Sequence, residues 1–493
     1  MRFEMIEAAR AVGGSFAVAP ANEHACVTSL TWDSRAVQPG GLYVALPGER
    51  VDGHAFAAAA VKAGAVCVLA QHALDADALC AIKAAGAGVI EVADTAAAVT
   101  QLARAWRSCL AGRVIGITGS TGKTTTKNLV RDVLSAAGSV VATKGNQNNE
   151  LGVPNTVLAA DAGTRNVIVE MGMRGLHQLE VLCEFVRPEW GLVTNVGESH
   201  IELLGSRENI ARAKAEMLFA LPSGGMAFLN AANDMTPQLR AFAKLDEHGV
   251  ACVLYDGTAD AATRRAAMSA ADAQLAAVWS EDVRLDAQGC PSFTLCAANF
   301  AGMPEPVRVP CTLALRGMHN VSNACSAAAV GIAAGMTPEQ VADALGTAQP
   351  ETGRQEVLAA SAGFTVINDA YNANPDSMRA SLSTFAALKV AGRRIAVLGD
   401  MGELGSFAPG LHTEVGTFAA ACGLDYLVCV GSLAQNIAAA ACAAGMSAEN
   451  VVCVTDGQAA LAKVSAYVKP GDAVLVKASH FMGLEQVVEG LVK

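Results

Sequence analysis

Residues 113–127, RVIGITGSTGKTTTK, combine glycines, hydroxyls and lysines at a spacing that could bind the phosphates of a nucleotide. Gly119 and Gly122 would let the backbone turn tightly enough for successive N–H groups to face phosphate oxygens. Lys123 would add a cation, and the hydroxyl of Thr124 would bind a magnesium ion. The residues expected to bind the cofactor in this segment are Gly119, Ser120, Thr121, Gly122, Lys123, Thr124 and Thr125.

The residues around this loop predict a strand before it and a helix after it. Apolar residues at 114–117 indicate the strand, and a helix from Thr125 toward Leu134 would direct its positive N-terminal end at the same anion. The general pattern G-x-x-x-x-G-K-[ST] would require glycine where this chain has Ile117. A chance GKT in a glycine-rich chain is the alternative, and the strand, loop and helix context argues against it.

Polar residues also follow two later apolar runs, NVIVEMG at 166–172 and WGLVTNVGESH at 190–200. In a parallel sheet the carboxyl ends of strands meet at one edge, so Glu170, Asn195 and His200 should lie on the same edge as Thr124. A carboxylate leaving an apolar run is costly unless it is paired or binds a cation. We therefore expect Thr124, Glu170 and His200 to bind magnesium, although a lone histidine is more often a surface or core residue.

A lysine lies on the apolar side of a predicted helix. Ser206 is a suitable N-cap for a helix that runs to about Ala220, and Lys214 falls on the stripe formed by Ile210 and Met217. The side chain could snorkel to water. Alternatively, a desolvated amine has a lowered pKa, is neutral and can add carbon dioxide to form a carbamate that binds magnesium.

Three further groups of polar residues are candidates for binding. Asp33, Ser34 and Arg35 offer an acceptor, a hydroxyl and a guanidinium within the stretch 31–54, which could also be an ordinary polar loop. Asn320 and Asn323 open a helix of small residues and leave amides available for a ring such as adenine. Polar residues also end the last group of strands, and these are Arg354, Asp369, Asn372, Asn374, Asp400 and Lys477.

Strand and helix patterns alternate along the whole chain, which indicates the α/β class. A chain of 493 residues should form about three domains. We predict an N-terminal domain over residues 1–96, a central ATP-binding domain over 97–350 and a C-terminal domain over 351–493. The central domain would contain a P-loop-type parallel sheet, flanked by a small α/β domain and a Rossmann-like domain.

Composition excludes several classes of function. Only 16% of residues are charged and the net charge is -11, so no nucleic acid partner is expected. The first residues lack the pattern of an export signal, and the apolar segment 324–336 is too short to span a membrane. The 14 cysteines lack zinc spacing and indicate reduced thiols. We expect a cytoplasmic protein, and a monomer.

With these residues assembled, the chain resembles the Mur ligase family, the ATP-dependent amide-forming enzymes of bacterial cell-wall precursor synthesis. The similarity covers the whole chain and is closest to the branch that adds D-alanyl-D-alanine to UDP-N-acetylmuramoyl-tripeptide. The segments that carry it are DSR with PGGLYVAL and DGH, TGSTGKTTTK, GNQNNELGVP, EMGM, TNVGESHIELLGSRENIARAKAEM, GMHNVSNA, NDAYNANPDSM and LGDMGELG. The family uses the shorter G-x-x-G-K-T form, which accounts for Ile117.

The resemblance implies roles for individual residues. Lys123, His200 and Lys214 would be catalytic, with Lys214 carbamylated and with ATP and Mg²⁺ as cofactors. The residues implied to contact adenine or the rest of the nucleotide are Asn320, Asn323, Arg354 and Asp369, and those implied to contact substrate are Asp33, Ser34, Arg35, Asn146 and Asn149. The family tends to read KGSR where residues 477–480 read KASH, so no role is assigned to His480.

The implied reaction proceeds through an acyl phosphate. The terminal carboxylate of the tripeptide would attack the γ-phosphate of ATP, and the amine of D-alanyl-D-alanine would then attack the carbonyl. A ligase for another amino acid, such as the third-residue ligase or a folate polyglutamylating enzyme, is an alternative. A nucleotide-binding regulatory module is another, but it would not need Glu170, His200 and Lys214 together.

Overall fold

The structure, a computed structural model, describes residues 1–48 and 51–493. Glu49 and Arg50, within the stretch 31–54 discussed above, lie outside the described residues. The described chain forms three main sheets, which follow one another along the sequence. The α/β class predicted from the alternating patterns is confirmed.

The first sheet has five strands and is mixed. The elements of this region are β1 (Phe3–Glu4), α1 (Met5–Ala11), β2 (Ser15–Val18), β3 (Cys26–Val27), β4 (Ser29–Thr31), β5 (Gly41–Val44), α2 (Ala57–Lys62), β6 (Ala65–Ala70), α3 (Ala76–Ala84) and β7 (Gly88–Glu91). The strand order is β2-β7-β6-β5-β4, with β2 antiparallel to its neighbour, while β1 pairs with β3 separately. The sequence predicts strands at residues 42–46, 64–70 and 88–92, and β5, β6 and β7 lie within two residues of these bounds, whereas β2 and β4 were not predicted individually.

The second sheet has nine strands and carries the glycine-rich loop. Its region contains α4 (Thr95–Arg107), β8 (Arg113–Thr118), α5 (Lys123–Ser135), β9 (Val140–Ala142), α6 (Gly152–Ala159), β10 (Asn166–Glu170), α7 (Gln178–Val186), β11 (Trp190–Val193), α8 (Ile201–Leu204), α9 (Arg207–Phe219), β12 (Met226–Asn230), α10 (Thr236–Ala243), α11 (Leu245–His248), β13 (Ala251–Asp256), α12 (Ala261–Ala266), β14 (Ala276–Leu285), β15 (Pro291–Ala298), β16 (Val307–Thr312), α13 (His319–Ala333) and α14 (Pro338–Thr347). The order is β16-β15-β14-β13-β12-β11-β8-β10-β9.

Strands β8 to β14 of this sheet are parallel, and β15 and β16 add an antiparallel extension at one edge. The sequence did not predict β14 and β15. Strand β14 begins with four apolar residues and continues with mainly polar ones, and a register shift falls between Glu281 and Arg284, so it shows no regular alternation. The polar stretch near residues 259–273 contains α12.

The third sheet has six strands. Its elements are β17 (Glu356–Ala359), β18 (Thr365–Asn368), α15 (Pro375–Ala387), β19 (Arg394–Gly399), α16 (Ala408–Ala421), β20 (Tyr426–Val430), α17 (Ala434–Ala443), β21 (Val451–Val454), α18 (Gly457–Tyr467), β22 (Ala473–Lys477) and α19 (Glu485–Val492). The order is β17-β18-β22-β19-β20-β21, and all pairs are parallel except β17 with β18.

Local sequence explains where the two helices that carry site residues begin. Helix α9 begins after Ser206, whose hydroxyl accepts a hydrogen bond from the Asn209 amide at 3.1 Å, as predicted for an N-cap. Helix α5 begins at Lys123, two residues before the predicted start. Gly122 has a φ of 76°, a left-handed conformation that glycine adopts easily. The chain changes direction at this residue, so the helix can begin immediately after it.

The remaining expectations about organisation stay predictions. The boundaries near residues 96 and 350 fall close to the start of α4 and the end of α14. Residues 324–336 lie mostly within α13. Across residues 1–48 and 51–493, no helix is both long enough and apolar enough to cross a membrane.

Candidate active site

A cavity of about 990 Å³ lies between the carboxyl ends of the central parallel strands and the third sheet. Most of the sequence-predicted site residues line it. These are Ser120, Thr121, Gly122, Lys123, Thr124, Thr125, Asn146, Asn149, Glu170, His200, Asn320, Asn323, Arg354 and Asp369. The structure therefore brings residues of the central and third sheets together around one space.

The glycine-rich loop packs closely against the residues that follow β11 and against the start of α13. A Cβ on Gly119, whose φ is 153°, would collide with the side chain of Thr194, and one on Gly122 would lie 2.7 Å from Oδ1 of Asn323. The N–H groups of Ser120 and Thr121 donate to Oδ1 of Asn195 at 3.0 and 2.9 Å. This differs from the expectation that successive N–H groups face a ligand, because an asparagine side chain accepts two of them here.

Lysine and threonine side chains extend from the start of α5 at this loop. Nζ of Lys123 donates to the carbonyl of Gly119 at 2.6 Å. Burial lowers the pKa of Lys123, and the Arg354 guanidinium lowers it further, while the Glu170 carboxylate opposes both. The loop thus has a cation already folded back over the place where phosphate oxygens would be held.

Glu170 ends β10 as a buried carboxylate with one oxygen unsatisfied. Oε1 accepts hydrogen bonds from Oγ1 of Thr124 at 3.3 Å and from Nδ2 of Asn148 at 2.8 Å. Oε2 makes no hydrogen bond to any described residue, although Nζ of Lys127 is 3.8 Å away. A residue only 1% exposed with an unpaired carboxylate oxygen beside a threonine hydroxyl fits a hard cation such as Mg²⁺.

His200 is held in an uncommon backbone conformation, with φ of 65°, immediately before α8. Its Nδ1 lies 2.5 Å from Oε2 of Glu403, a residue of the third sheet's region, but the contact lacks hydrogen-bond geometry within the described structure. Oε1 of Glu403 is 3.1 Å from Nε of Arg174. Its contact with His200 is the main reason why the pKa of Glu403 is lowered, so this carboxylate is ionised.

Lys214 lies on the inner side of α9 and is 1% exposed. The snorkelling alternative is therefore wrong. Within the described chain its ammonium makes no hydrogen bond or ion pair, and it does not line the cavity. Burial, and secondarily the charge of Lys123, hold the pKa of Lys214 well below its usual range. The amine is accordingly disposed to be neutral.

The two asparagines at the start of α13 bind each other. Nδ2 of Asn323 donates to Oδ1 of Asn320 at 2.8 Å, and Nδ2 of Asn320 donates to the carbonyl of Arg316 at 2.7 Å. Both side chains line the cavity, and each amide nitrogen, which carries two hydrogens, donates one hydrogen bond within the protein. Burial lowers the pKa of the adjacent His319 to about 4, so its ring is neutral at pH 7.

The third sheet's region contributes Arg354 and Asp369 to the cavity. Nη2 of Arg354 donates to Oγ1 of Thr124 at 3.0 Å, and its guanidinium lies 4.3 Å from the ring centre of Tyr371. Oδ2 of Asp369 accepts from Nζ of Lys477 at 2.7 Å. Arg354 thus joins the third region directly to the loop at the start of α5.

The predicted substrate residues divide into two groups. Asn146 and Asn149 line the cavity, whereas Asp33, Ser34 and Arg35 do not. Asp33 and Arg35 instead form a two-point ion pair, with distances of 2.9 and 2.8 Å, and this pairing lowers the pKa of Asp33 to about 2. These three residues lie beside the first sheet and are separate from the cavity.

Asp52, His54 and His72 form a cluster in which each residue offers a metal-ligating atom. Nε2 of His54 accepts the N–H of Gln71 at 3.0 Å, so its Nδ1 carries the proton and donates to Asp52 at 2.6 Å. A metal on that Nδ1 would move the proton to Nε2, opposite another N–H. The cluster is therefore a set of hydrogen bonds that holds the DGH segment.

Sequence reasoning missed several residues that the structure places at the site. Asn195 was expected at this edge but not as the acceptor of the loop amides. Asn148 and Glu403 lie in the segments GNQNNELGVP and LGDMGELG, which were noted without a role for either residue. Tyr371 was also missed, although the segment NDAYNANPDSM containing it was noted.

Comparison with known proteins gives a consistent assignment. Family models match residues 27–107 ("Mur ligase family, catalytic domain"), 117–331 ("Mur ligase middle domain") and 353–480 ("Mur ligase, glutamate ligase domain"). A relative named UDP-N-acetylmuramoyl-tripeptide--D-alanyl-D-alanine ligase, from Mycobacterium tuberculosis, is 40% identical over 98% of this chain and 96% of its own length. A relative of the same name from Bacillus subtilis is 33% identical over 96% and 95%.

The chain belongs to the Mur ligase family. Two solved structures match this Mur ligase in fold along all or nearly all of its length. MurF from Acinetobacter baumannii matches with a TM-score of 0.81 at 26% identity, covering 100% of this chain and 99% of that one. MurF from Thermotoga maritima in complex with ADP matches in fold, with a TM-score of 0.73 at 24% identity over 94% and 97% of the two chains. The predicted family is confirmed.

Proposed function

We propose that this Mur ligase uses ATP to join D-alanyl-D-alanine to UDP-N-acetylmuramoyl-tripeptide, with release of ADP and phosphate. One observation carries the proposal: the phosphate loop, the unsatisfied carboxylate of Glu170 and the third region's Arg354 all meet at one cavity. The relatives that match almost the whole chain carry the name of this reaction, which supports the choice of substrates.

The phosphates of ATP would be held by Lys123 and by the N-terminal end of α5. Thr124, Glu170 and His200 are the residues that would hold Mg²⁺, which when bound would neutralise charge on the phosphates and on the incoming carboxylate. Arg354 would reach the nucleotide from the third region and Asp369 would orient Lys477 there. Asn320 and Asn323 would contact adenine through the edges they leave free.

Lys214 would act as a carbamate. A neutral, buried amine can add carbon dioxide, which replaces an unpaired group by a carboxylate-like one directed toward the nearby lysine and metal residues. The structure supports this step through the burial of Lys214 and its lack of a partner among the described residues.

The chemistry takes place in two steps. The tripeptide carboxylate attacks the γ-phosphorus and breaks the bond to ADP, so an acyl phosphate forms. The amine of D-alanyl-D-alanine then attacks the acyl carbon, loses a proton, and phosphate leaves. Positioning and charge neutralisation dominate such transfers, and cover from the third region would keep water from the acyl phosphate.

The other expectations complete the proposal. Asn146 and Asn149 would contact the end of the substrate in the cavity, and Asp33, Ser34 and Arg35 would bind its uridine end beside the first sheet. The domains would divide near residues 96 and 350. We also propose that the enzyme is a cytoplasmic monomer without a nucleic acid partner.

A coupled assay of phosphate release tests the reaction. ATP and UDP-N-acetylmuramoyl-tripeptide should release phosphate in proportion to added D-alanyl-D-alanine, with both the lysine and the diaminopimelate tripeptide tried. Release that depends instead on a free amino acid would indicate another amide ligase. ATP binding without release under any combination would favour a regulatory module.

A further inference from the structure

Lys127 is the second lysine of α5, it is buried, and the proposed mechanism does not use it. It lies one helical turn after Lys123, is 1% exposed and does not line the cavity. An ammonium group is costly to bury unless oxygen atoms surround it. Its position therefore calls for an explanation in terms of the groups that it contacts.

The ammonium of Lys127 bridges two parts of the site. Nζ donates to the carbonyl of Gly145 at 3.0 Å and lies 3.8 Å from Oε2 of Glu170, the oxygen that lacks a hydrogen bond within the described chain. Gly145 begins the segment 145–150, which we call the asparagine loop. Its φ of 50° is a conformation that most side chains disfavour.

The asparagine loop is tied to the same carboxylate a second time. Asn148 donates from Nδ2 to Oε1 of Glu170 at 2.8 Å, and its carbonyl accepts the N–H of Gly172 at 2.9 Å. Asn146, which lies between Gly145 and Asn148, and Asn149, which follows Asn148, both line the cavity. Lys127 and Asn148 thus fix the loop from two sides of Glu170.

We propose that Lys127 is a positioning residue that orders the asparagine loop and aligns Glu170, so that Asn146 and Asn149 are placed for the carboxylate substrate. Only the identity of that substrate depends on the function proposed above. Lys127 acts through a backbone carbonyl and a neighbouring carboxylate, and it does not touch ATP.

The first test measures loop order in the protein without substrates. Hydrogen exchange of peptides covering residues 145–150 should become about tenfold faster in Lys127→Met, the loss expected when one hydrogen bond from a charged donor is removed. Lys127→Arg retains a cation and donor and should stay within about threefold of wild type. Lys144→Met, which removes an exposed lysine just before the loop, is the matched control.

The second test separates the two substrates kinetically. In Lys127→Met the KM for UDP-N-acetylmuramoyl-tripeptide should rise about tenfold, while the KM for ATP changes less than about twofold. Lys127→Gln, which is shorter but still a donor, should give an intermediate loop exchange and KM, and it serves if the methionine variant is unstable.

Two results would overturn the inference. One is wild-type exchange at residues 145–150 in both Lys127→Met and Lys127→Gln. The other is an equal rise in both KM values together with faster exchange throughout the protein, which would show a general packing role. If the wild-type protein does not ligate, the proposed function fails, whereas the loop exchange still decides the role of Lys127.

Discussion

The contact of Glu403 with Arg174 and His200 should hold the third region against the central one. Glu403 comes from the loop after β19, and its carboxylate oxygens lie 3.1 Å from Nε of Arg174 and 2.5 Å from Nδ1 of His200. Its carbonyl also accepts the N–H of Glu202 at 3.3 Å. Glu403→Gln would remove the charge and leave the backbone contact in place.

The size of the effect follows from distance and exposure. At 3.1 Å a pair of unit charges is worth about 5 kcal/mol at an effective dielectric constant of 20 and little more than about 1 kcal/mol in water. The Arg174 side chain is 70% exposed and that of Glu403 is 38% exposed, so the lower value applies. A loss of about 1 kcal/mol would reduce the ratio of closed to open protein about fivefold.

Hydrogen exchange can measure this ratio of closed to open protein directly. With a non-hydrolysable ATP analogue, the peptide 198–206 should exchange about fivefold faster in Glu403→Gln than in wild type, because the Glu202 amide is protected only when the regions meet. Glu449→Gln, an exposed carboxylate of the third region, is the control. Arg174→Gln should have a similar effect, and the double variant should add little to it.

Three outcomes would refute this account. Unchanged exchange at 198–206 in Glu403→Gln would mean that the ion pair does not hold the regions together. An equal effect in Glu449→Gln would mean that general charge, rather than this contact, controls closure. Fully additive effects of Arg174→Gln and Glu403→Gln would show that the two side chains act independently.

Three further changes test other parts of the structure. Lys214→Ala should lose most ligase activity, at least about a hundredfold, and regain part of it with small carboxylates, whereas full activity would contradict the carbamate. Glu170→Gln should weaken Mg²⁺ binding at least about tenfold by isothermal titration, since it removes the charge next to Thr124. Asp472→Asn should destabilise the third sheet by about 2 kcal/mol, because Asp472 is 3% exposed and accepts three hydrogen bonds from Arg393 and Lys469 within 2.8 Å. Burial raises the pKa of Asp472, but hydrogen bonds from Arg393 outweigh it and the net pKa is lowered; the stabilisation is therefore present above the usual aspartate pKa and is lost as pH falls through the lowered one. Hydrogen exchange of β19 and β22 against pH measures this loss, and Asp472→Asn should show a weaker pH dependence; an equal dependence in both proteins would contradict the assignment.

The parts of the site that local sequence determines could be predicted. The strand, loop and helix from β8 to α5 depend on neighbours in the chain, and so does the N-cap of α9 by Ser206. The place of Lys214 on an apolar stripe was also predicted, although the stripe alone left both burial and snorkelling open. In each case the relevant contacts lie within one or two helical turns, or along one strand, so residue spacing is enough to define them.

Pairings between distant segments could not be predicted in the same way. Nothing near Ser120 indicates that Asn195 accepts its N–H, and nothing near His200 indicates that Glu403 reaches it from another sheet. Asn320 and Asn323 looked available for a ligand because each amide has unused donors when its segment is considered alone. Their mutual hydrogen bond joins positions three apart on α13, which spacing could have revealed, whereas the hydrogen bond from Oγ1 of Thr126 to Oδ1 of Asn323 depends on how α13 packs beside α5.

The charge distribution explains why closure and chemistry should be coupled. The chain carries a net charge of -11, yet the start of α5 carries two lysines, Lys123 at the cavity and Lys127 buried beside Glu170, and burial lowers the pKa of both. Repulsion among these cations opposes the approach of a further one until anions bind. Arg354 adds one more cation, and it can contact Thr124 only when the third region packs against the central one. The closed arrangement should therefore be favoured by bound phosphates and disfavoured without them, so that ATP binding itself assembles the site.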